Sequence, residues 1–194
     1  MPDPLRLFIA LELPPAVRDA LAAAQDQLQP QVPPRAVRWT QPEGIHLTLK
    51  FLGDTPAARV DSIGAALVEA VTGHAALALR AGTLGCFPNT ERPRVLWIGL
   101  SGDLDRLSVL QAAVERALGP LGFPRENRPF SPHLTLGRVR REASRQDVQA
   151  LGALVARSRV GTVATWTADA VSLMQSDLHP DGARYTCLRR VPLG

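Results

Sequence analysis

An α+β fold of two similar lobes, each a small and mostly antiparallel sheet with helices outside it, follows from three features of this 194-residue sequence. The tetrapeptide His46-Leu47-Thr48-Leu49 recurs letter for letter as His133-Leu134-Thr135-Leu136, so the copies begin 87 residues apart, at 46 and 133. Each copy follows a helix-periodic run and then a Pro- and Gly-rich loop, so helix, loop and His-strand succeed one another in both halves. No low-complexity stretch and no clean linker divides the chain, so residues 1–194 read as a single bilobal domain with a cleft between the lobes.

Taken in order, Leu5 to Leu11 is an apolar run of strand length. Pro14 and Pro15 suit a first helical turn, and Val17, Leu21, Ala24 and Leu28 then repeat at helical spacing. A Pro-rich loop leads to a short strand, Val37 to Trp39, and the turn Pro42-Glu43-Gly44 opens the first His-strand, which runs to Leu52. Gly53-Asp54-Thr55-Pro56 is a helix-start signal for a helix over 56–72. Leu77 to Leu84 and Val95 to Leu100 are strands with a loop over 85–93 between them. Asp103 is placed to cap a helix over 104–118, and a loop over 119–129 leads to the second His-strand. A helix over 144–157 follows, then closing strands at Val160 to Ser172 and Arg184 to Val191, with a hairpin around His179-Pro180-Asp181-Gly182.

The repeated tetrapeptide carries chemistry. Strand side chains alternate between faces, so His46 and Thr48 share one face while Leu47 and Leu49 take the other, and the second copy does the same. Each copy buries two leucines and presents an imidazole beside a hydroxyl. Two such strands facing one cleft suit phosphoryl chemistry: one imidazole accepts a proton from a nucleophile, the other protonates a leaving oxygen, and hydroxyls donate to phosphate oxygens.

Composition narrows the class. A net charge of +4 and a sequence pI near 10.0 favour an anionic ligand. Of 22 basic residues only Lys50 is a lysine, a bias that genomic composition accounts for, although arginine also grips phosphates well. Cys86 and Cys187 make no disulfide framework, which points to a reducing cytoplasm. The apolar N-terminal run is interrupted by Glu12 and lacks signal-peptide flanks, and no apolar stretch is long enough to span a bilayer. There is no Gly-Lys-Ser/Thr phosphate loop, no His-Glu-x-x-His and no Cys-x-x-Cys.

The two motifs in their flanks resemble those of the two-histidine phosphoesterases, and within them the RNA 2′,3′-cyclic phosphodiesterases once named 2′–5′ RNA ligases. Arg6 to Ala10 looks like that family's opening strand, Trp39 and His46 to Gly53 like its first motif, and Ser131 to Arg138 like its second. The resemblance implies a bilobal fold with a pseudo-two-fold axis, His46 as proton donor to the leaving 3′ oxygen, His133 as proton acceptor from water, and Thr48 and Thr135 holding the phosphate. It implies an RNA partner with a 2′,3′-cyclic phosphate end, tRNA fragments among the candidates, a 2′-phosphate product, no metal or other cofactor, and a monomer. The reverse reaction would join a cyclic phosphate to a 5′-hydroxyl through a 2′–5′ link without ATP.

Other positions are further candidates for substrate binding. Arg128 and Arg138 flank the second motif, yet simple alternation puts Arg138 on the face opposite His133. Alternation puts Lys50 on the face of His46 and Thr48. Phe8, Phe51 and Phe130 are candidates for stacking on a base, with core packing the main expectation for Phe8 and Phe51. His74 and His179 have no motif partner and are expected to face solvent. Two rival readings remain: a phosphodiesterase for a small cyclic nucleotide or a 2′–5′ oligonucleotide, and a non-enzymatic RNA-binding module. A metal-bridged histidine pair stands third.

Overall fold

The structure, a computed structural model, describes residues 4–179 and 182–194. Nine strands form two antiparallel sheets among the described residues, and four helices pack on them. The first sheet has the order β3-β1-β8-β9, from β1 (Leu5–Leu11), β3 (Leu47–Thr55), β8 (Ala170–His179) and β9 (Gly182–Pro192). The second has the order β2-β6-β5-β4-β7, from β2 (Val37–Trp39), β4 (Leu77–Phe87), β5 (Val95–Gly102), β6 (His133–Val139) and β7 (Thr162–Ala168).

The lobes are therefore not the two halves of the chain. The first sheet takes two neighbouring strands, the inner β8 and the edge strand β9, from the C-terminal part of the chain, and β2 joins the second sheet beside β6. The closing strand expected over 160–172 is two strands, β7 and β8, one in each sheet, because the chain changes sheets at Asp169. The expected hairpin forms, with His179 opposite Gly182, while Pro180 and Asp181 lie outside the described residues.

Helices are exchanged as well. α1 (Pro15–Leu28) leaves β1 of the first sheet and packs on β7 of the second, while α3 (Leu104–Leu118) leaves β5 of the second and packs on β3 of the first. α2 (Val60–Val71) lies with α3 on the first sheet, and α4 (Arg145–Arg157) covers β4 in the second. Their apolar stripes, such as Val17 and Leu21, Ile63 and Leu67, Leu107 and Leu110, and Leu151, meet the inner strand residues in one contiguous core. α4 starts on a capping box between Ser144 and Asp147. Asp103 makes no such cap; its carboxylate accepts from the Ala78 amide and Arg106 instead.

One local device is repeated. Along β1, Ile9 pairs with Lys50 and Ala10 with Thr48, leaving Leu49 unpaired. Along β5, Leu96 pairs with Gly137 and Trp97 with Thr135, leaving Leu136 unpaired. Each His-strand thus carries a bulge at the fourth residue of its motif, and a bulge reverses the facing of the side chains that follow it, in β3 as far as a second bulge at Leu52. The exchanged helices answer the bulges: Gln25 of α1 donates to the Leu136 carbonyl at 2.8 Å, and Gln111 of α3 donates to the Leu49 carbonyl at 3.3 Å. Gln25 is fully buried on the stripe where sequence periodicity favours Ala24.

Candidate active site

His46 ends the tight turn Pro42–Gly44, and its Nδ1–H donates to the Gly44 carbonyl at 2.8 Å. His133 opens β6, and its Nδ1–H donates to the Ser131 carbonyl at 2.7 Å. A carbonyl only accepts, so each Nδ1 carries the proton and each Nε2 is left free. Thr48 and Thr135 lie two residues on, half-buried beside their histidines, above fully buried Leu47 and Leu134.

The two halves face one another. β3 and β6 approach across the cleft, and the guanidiniums of Arg138 and Arg38, from the second sheet, act on Tyr185 of the first. Around His46 the cleft is aromatic: Phe8 stacks on the imidazole with centroids 4.6 Å apart, and Tyr185 meets its edge at 5.0 Å. A Cβ at Gly44 would come within 3.0 Å of Tyr185, so only glycine lets the ring close over the turn. Around His133, Phe87 stands edge-on at 4.9 Å and Trp97 lies 6.3 Å away.

Burial dominates the electrostatics. It lowers His46 to about 4, against the Gly44 carbonyl and the Glu12 carboxylate, which raise it, while His133 lowers it further. Burial also lowers His133, the Ser131 carbonyl opposes, and the nearby Arg138 charge adds to the lowering. Burial pushes the Tyr185 phenol up, and Arg138, Arg6 and Arg38 pull it back.

Several sequence expectations are reversed. Lys50 does not face the cleft: it is 5% exposed, its Nζ lies 2.5 Å from Glu115 Oε2, and it also donates to the Pro124 carbonyl at 2.7 Å. The Leu49 bulge turned it inward. The matching bulge at Leu136 turns Arg138 toward His133 and Tyr185, against simple alternation. Phe8 is 2% exposed beneath His46, with no free face for a base, whereas Phe51, expected in the core, is 68% exposed on the cleft side of β3. Phe130 is half-buried with its ring packed on the main core. Arg128 is exposed on the loop before β6. His74 is half-buried and His179 exposed.

Sequence reasoning missed Tyr185, Phe87, Trp97, Arg6 and Arg38. Phe87 fell in the expected loop 85–93, but β4 continues to it. Only register could have found Trp97, which pairs with Thr135. Among the described residues, no group of three or more His, Cys, Asp or Glu side chains is placed to hold a metal, and no helix is long and apolar enough to cross a membrane. A recess of about 750 Å³ between α1 and the end of α4 lies on the helix side of the second sheet and contains none of the motif residues.

Two lobes meeting at paired, carbonyl-anchored histidines define a phosphoesterase of the two-histidine class. The chain belongs to the LigT-like phosphoesterase family, which matches residues 11–97 and again 98–185. An RNA 2′,3′-cyclic phosphodiesterase of Methanothermobacter thermautotrophicus is 31% identical over 94% of this chain and 95% of its own length. Another, from Thermus thermophilus, is 32% identical over 97% of this chain and 90% of its own. A crystal structure of the Thermus thermophilus protein TT0787 superposes with a TM-score of 0.76 at 31% identity, covering 97% of this chain and 98% of that one.

Proposed function

We propose that this protein, as a single bilobal unit, hydrolyses RNA 2′,3′-cyclic phosphate ends to 2′-phosphates, with His46 as proton donor and His133 as proton acceptor. The observation that carries this reading is the matched anchoring of both imidazoles through Nδ1, which leaves each Nε2 free, on strands that approach one another across the cleft. In-line attack on a cyclic phosphodiester needs one base and one acid on opposite sides of phosphorus. Thr48 and Thr135 donate to the phosphate oxygens, and Arg138 lies where charge builds up. Phe51 offers the free aromatic face that Phe8 lacks.

The low pKa of His46 fits a donor that is charged only on demand. A phosphate anion beside it favours the imidazolium, so bound substrate raises the pKa and His46 takes up its proton from solvent. The names of the relatives support RNA as the substrate, and the same acid and base would serve joining if a 5′-hydroxyl took the place of the attacking water.

The test is to incubate the protein, with excess chelator, with a short RNA ending in a 2′,3′-cyclic phosphate and to identify the product. Wild type is expected to give a 2′-phosphate, with His46→Ala and His133→Ala each slower by about 10²–10⁴-fold. A 3′-phosphate would overturn the assigned leaving group. Tight RNA binding without turnover would favour the binding module, and activity only on cyclic mononucleotides would favour the small-substrate rival.

A further inference from the structure

His46 rests on a floor that is separate from the main core. Phe8, Ala10 and Met174 form a small buried cluster in the first sheet, with Tyr185 packed against it. Register puts them on one face: Phe8 pairs with Met174, and Met174 with Cys187, two residues beyond Tyr185. Phe8 lies nearly parallel to the imidazole, at 29°, while Tyr185 stands across both rings, at 83° to Phe8 and 76° to His46. The phenol ring is therefore a wall along a two-ring stack. It comes from β9, one edge of the sheet, whereas His46 leads into β3, the opposite edge. The ring reaches back over β8 and β1 to meet it.

Gly44 joins this wall to the anchor of the histidine. Its carbonyl accepts the Nδ1–H of His46, and a Cβ on the same residue would meet the Tyr185 ring at 3.0 Å. The ring thus stands beside the hydrogen bond that fixes the imidazole and keeps water from it. The charged and titratable groups around the two side chains are Arg6 on β1 and Glu12 just after it, Arg38 on β2, His133 and Arg138 on β6, and Cys187 on β9. Glu43, in the turn itself, is exposed. Burial has the largest influence on His46; the Gly44 carbonyl and Glu12 raise it, and His133 lowers it. Burial also raises the phenol against its three guanidinium neighbours, so the ring is a neutral cover while His46 titrates.

We infer that Tyr185 is a positioning residue for His46: its ring walls off the side of the imidazole that Phe8 leaves open and fixes its tilt, so that His46 holds and delivers a proton only with a phosphate beside it. This rests on the reading of His46 as proton donor. The ring does the positioning, and the hydroxyl is not needed for it.

The test reads the His46 imidazole by proton NMR in the whole protein, with the signal assigned by its loss in His46→Gln, and measures hydrolysis of a short RNA ending in a 2′,3′-cyclic phosphate. Wild type is expected to titrate at about 4. Tyr185→Phe keeps the ring and should leave that midpoint, and the pH profile of kcat/KM, unchanged. Tyr185→Ala should raise the midpoint by about 1 or more, toward 6.5. The limb of the profile on which His46 loses its proton should move to higher pH with it, and kcat should fall by about tenfold to a hundredfold as the imidazole loses its alignment. Gly44→Ala keeps Tyr185 and the anchoring carbonyl but pushes the ring back, and Gly44 does not have the positive φ that would exclude alanine. Its midpoint should move in the same direction by less, which tests the inference even where Tyr185→Ala does not fold.

A midpoint that stays at about 4 in both Tyr185→Ala and Gly44→Ala overturns the inference, because Phe8 alone then covers the imidazole. A midpoint that moves as far in Tyr185→Phe as in Tyr185→Ala overturns it too, because the hydroxyl and not the ring would be responsible. So does a moved midpoint with kcat and the pH profile unchanged, since the wall would then have no part in the reaction. The titrations need no turnover. If wild type hydrolyses no cyclic phosphate end, the reading of His46 as proton donor falls, and the inference with it, even where the midpoints move as expected.

Discussion

His46 and His133 start matched strands and donate through Nδ1 to carbonyls at the same spacing, yet their surroundings differ. His46 is enclosed by Phe8 and Tyr185, with the Glu12 carboxylate near enough to raise it. His133 has an aromatic edge on one side and Gly99 opposite it in the ladder. Behind the strands the contrast continues. After the bulge, β3 buries Lys50 against Glu115, whereas β6 has Gly137 at the same position, where a Cβ would press on Val37 of β2. A strand thus covers one edge, and an ion pair to α3 secures the other. A duplicated sequence keeps the anchor of its histidine, while the neighbours that the tertiary fold supplies decide how each one titrates and what each one can reach.

The largest expected effect falls on the ion pair. Lys50→Met leaves the Glu115 carboxylate buried without its cation and is expected to cost about 3–5 kcal/mol of folding stability, read by urea unfolding. A double variant, Lys50→Met with Glu115→Leu, should recover most of that loss. If Lys50→Met were instead fully stable and selectively slow in catalysis, Lys50 would belong to the cleft after all.

Next is the difference in titration. His46 titrates at about 4 in the folded chain and near 6.5 when unfolded, so the unfolded chain takes up the proton first as pH falls. The stability tied to its neutral form is complete above about 6.5 and is lost between 6.5 and 4, about 3 kcal/mol across that window. His46→Gln should flatten this acid limb in urea midpoints measured across the window, and His133→Gln should leave most of it in place. Equal flattening by both would erase the distinction between the two sites.

The smallest effect separates the two glutamines. Gln25→Leu removes a fully buried amide that serves the Leu136 carbonyl and also Thr40, and should cost about 1–3 kcal/mol. Gln111→Leu breaks a longer bond at a less enclosed position and should cost less, about 0.5–1.5 kcal/mol. Thermal unfolding of both variants checks the order, and a reversed order would mean that the first-sheet bulge depends on its helix more than the second.

Much of this was legible in the sequence. Apolar periodicity located α1 and α3 almost to the residue, and the repeat located both histidines and both threonines on shared faces. The illegible part has a common cause. Nothing in Leu49 or Leu136 signals a bulge, since neither carries the conformational signature of glycine or proline, so alternation was carried one residue too far. Lys50 and Arg138 were each assigned to the wrong face for that one reason. Phe87 was hidden because Gly85 and the prolines after it resemble a loop, whereas Gly85 is there to admit the Trp97 ring.

By itself, the sequence determined what local rules can decide: which segments are helix or strand, that an imidazole and a hydroxyl recur together twice, and that the chain is basic. Local propensity and period-two patterning depend on neighbours a few residues away, and those are written in order. Only the tertiary structure decided which helix covers which sheet, where each strand bulges, and which aromatics enclose which histidine. These depend on partners such as Gln25 and Leu136, or His46 and Tyr185, far apart in the chain and joined only when both sheets have formed.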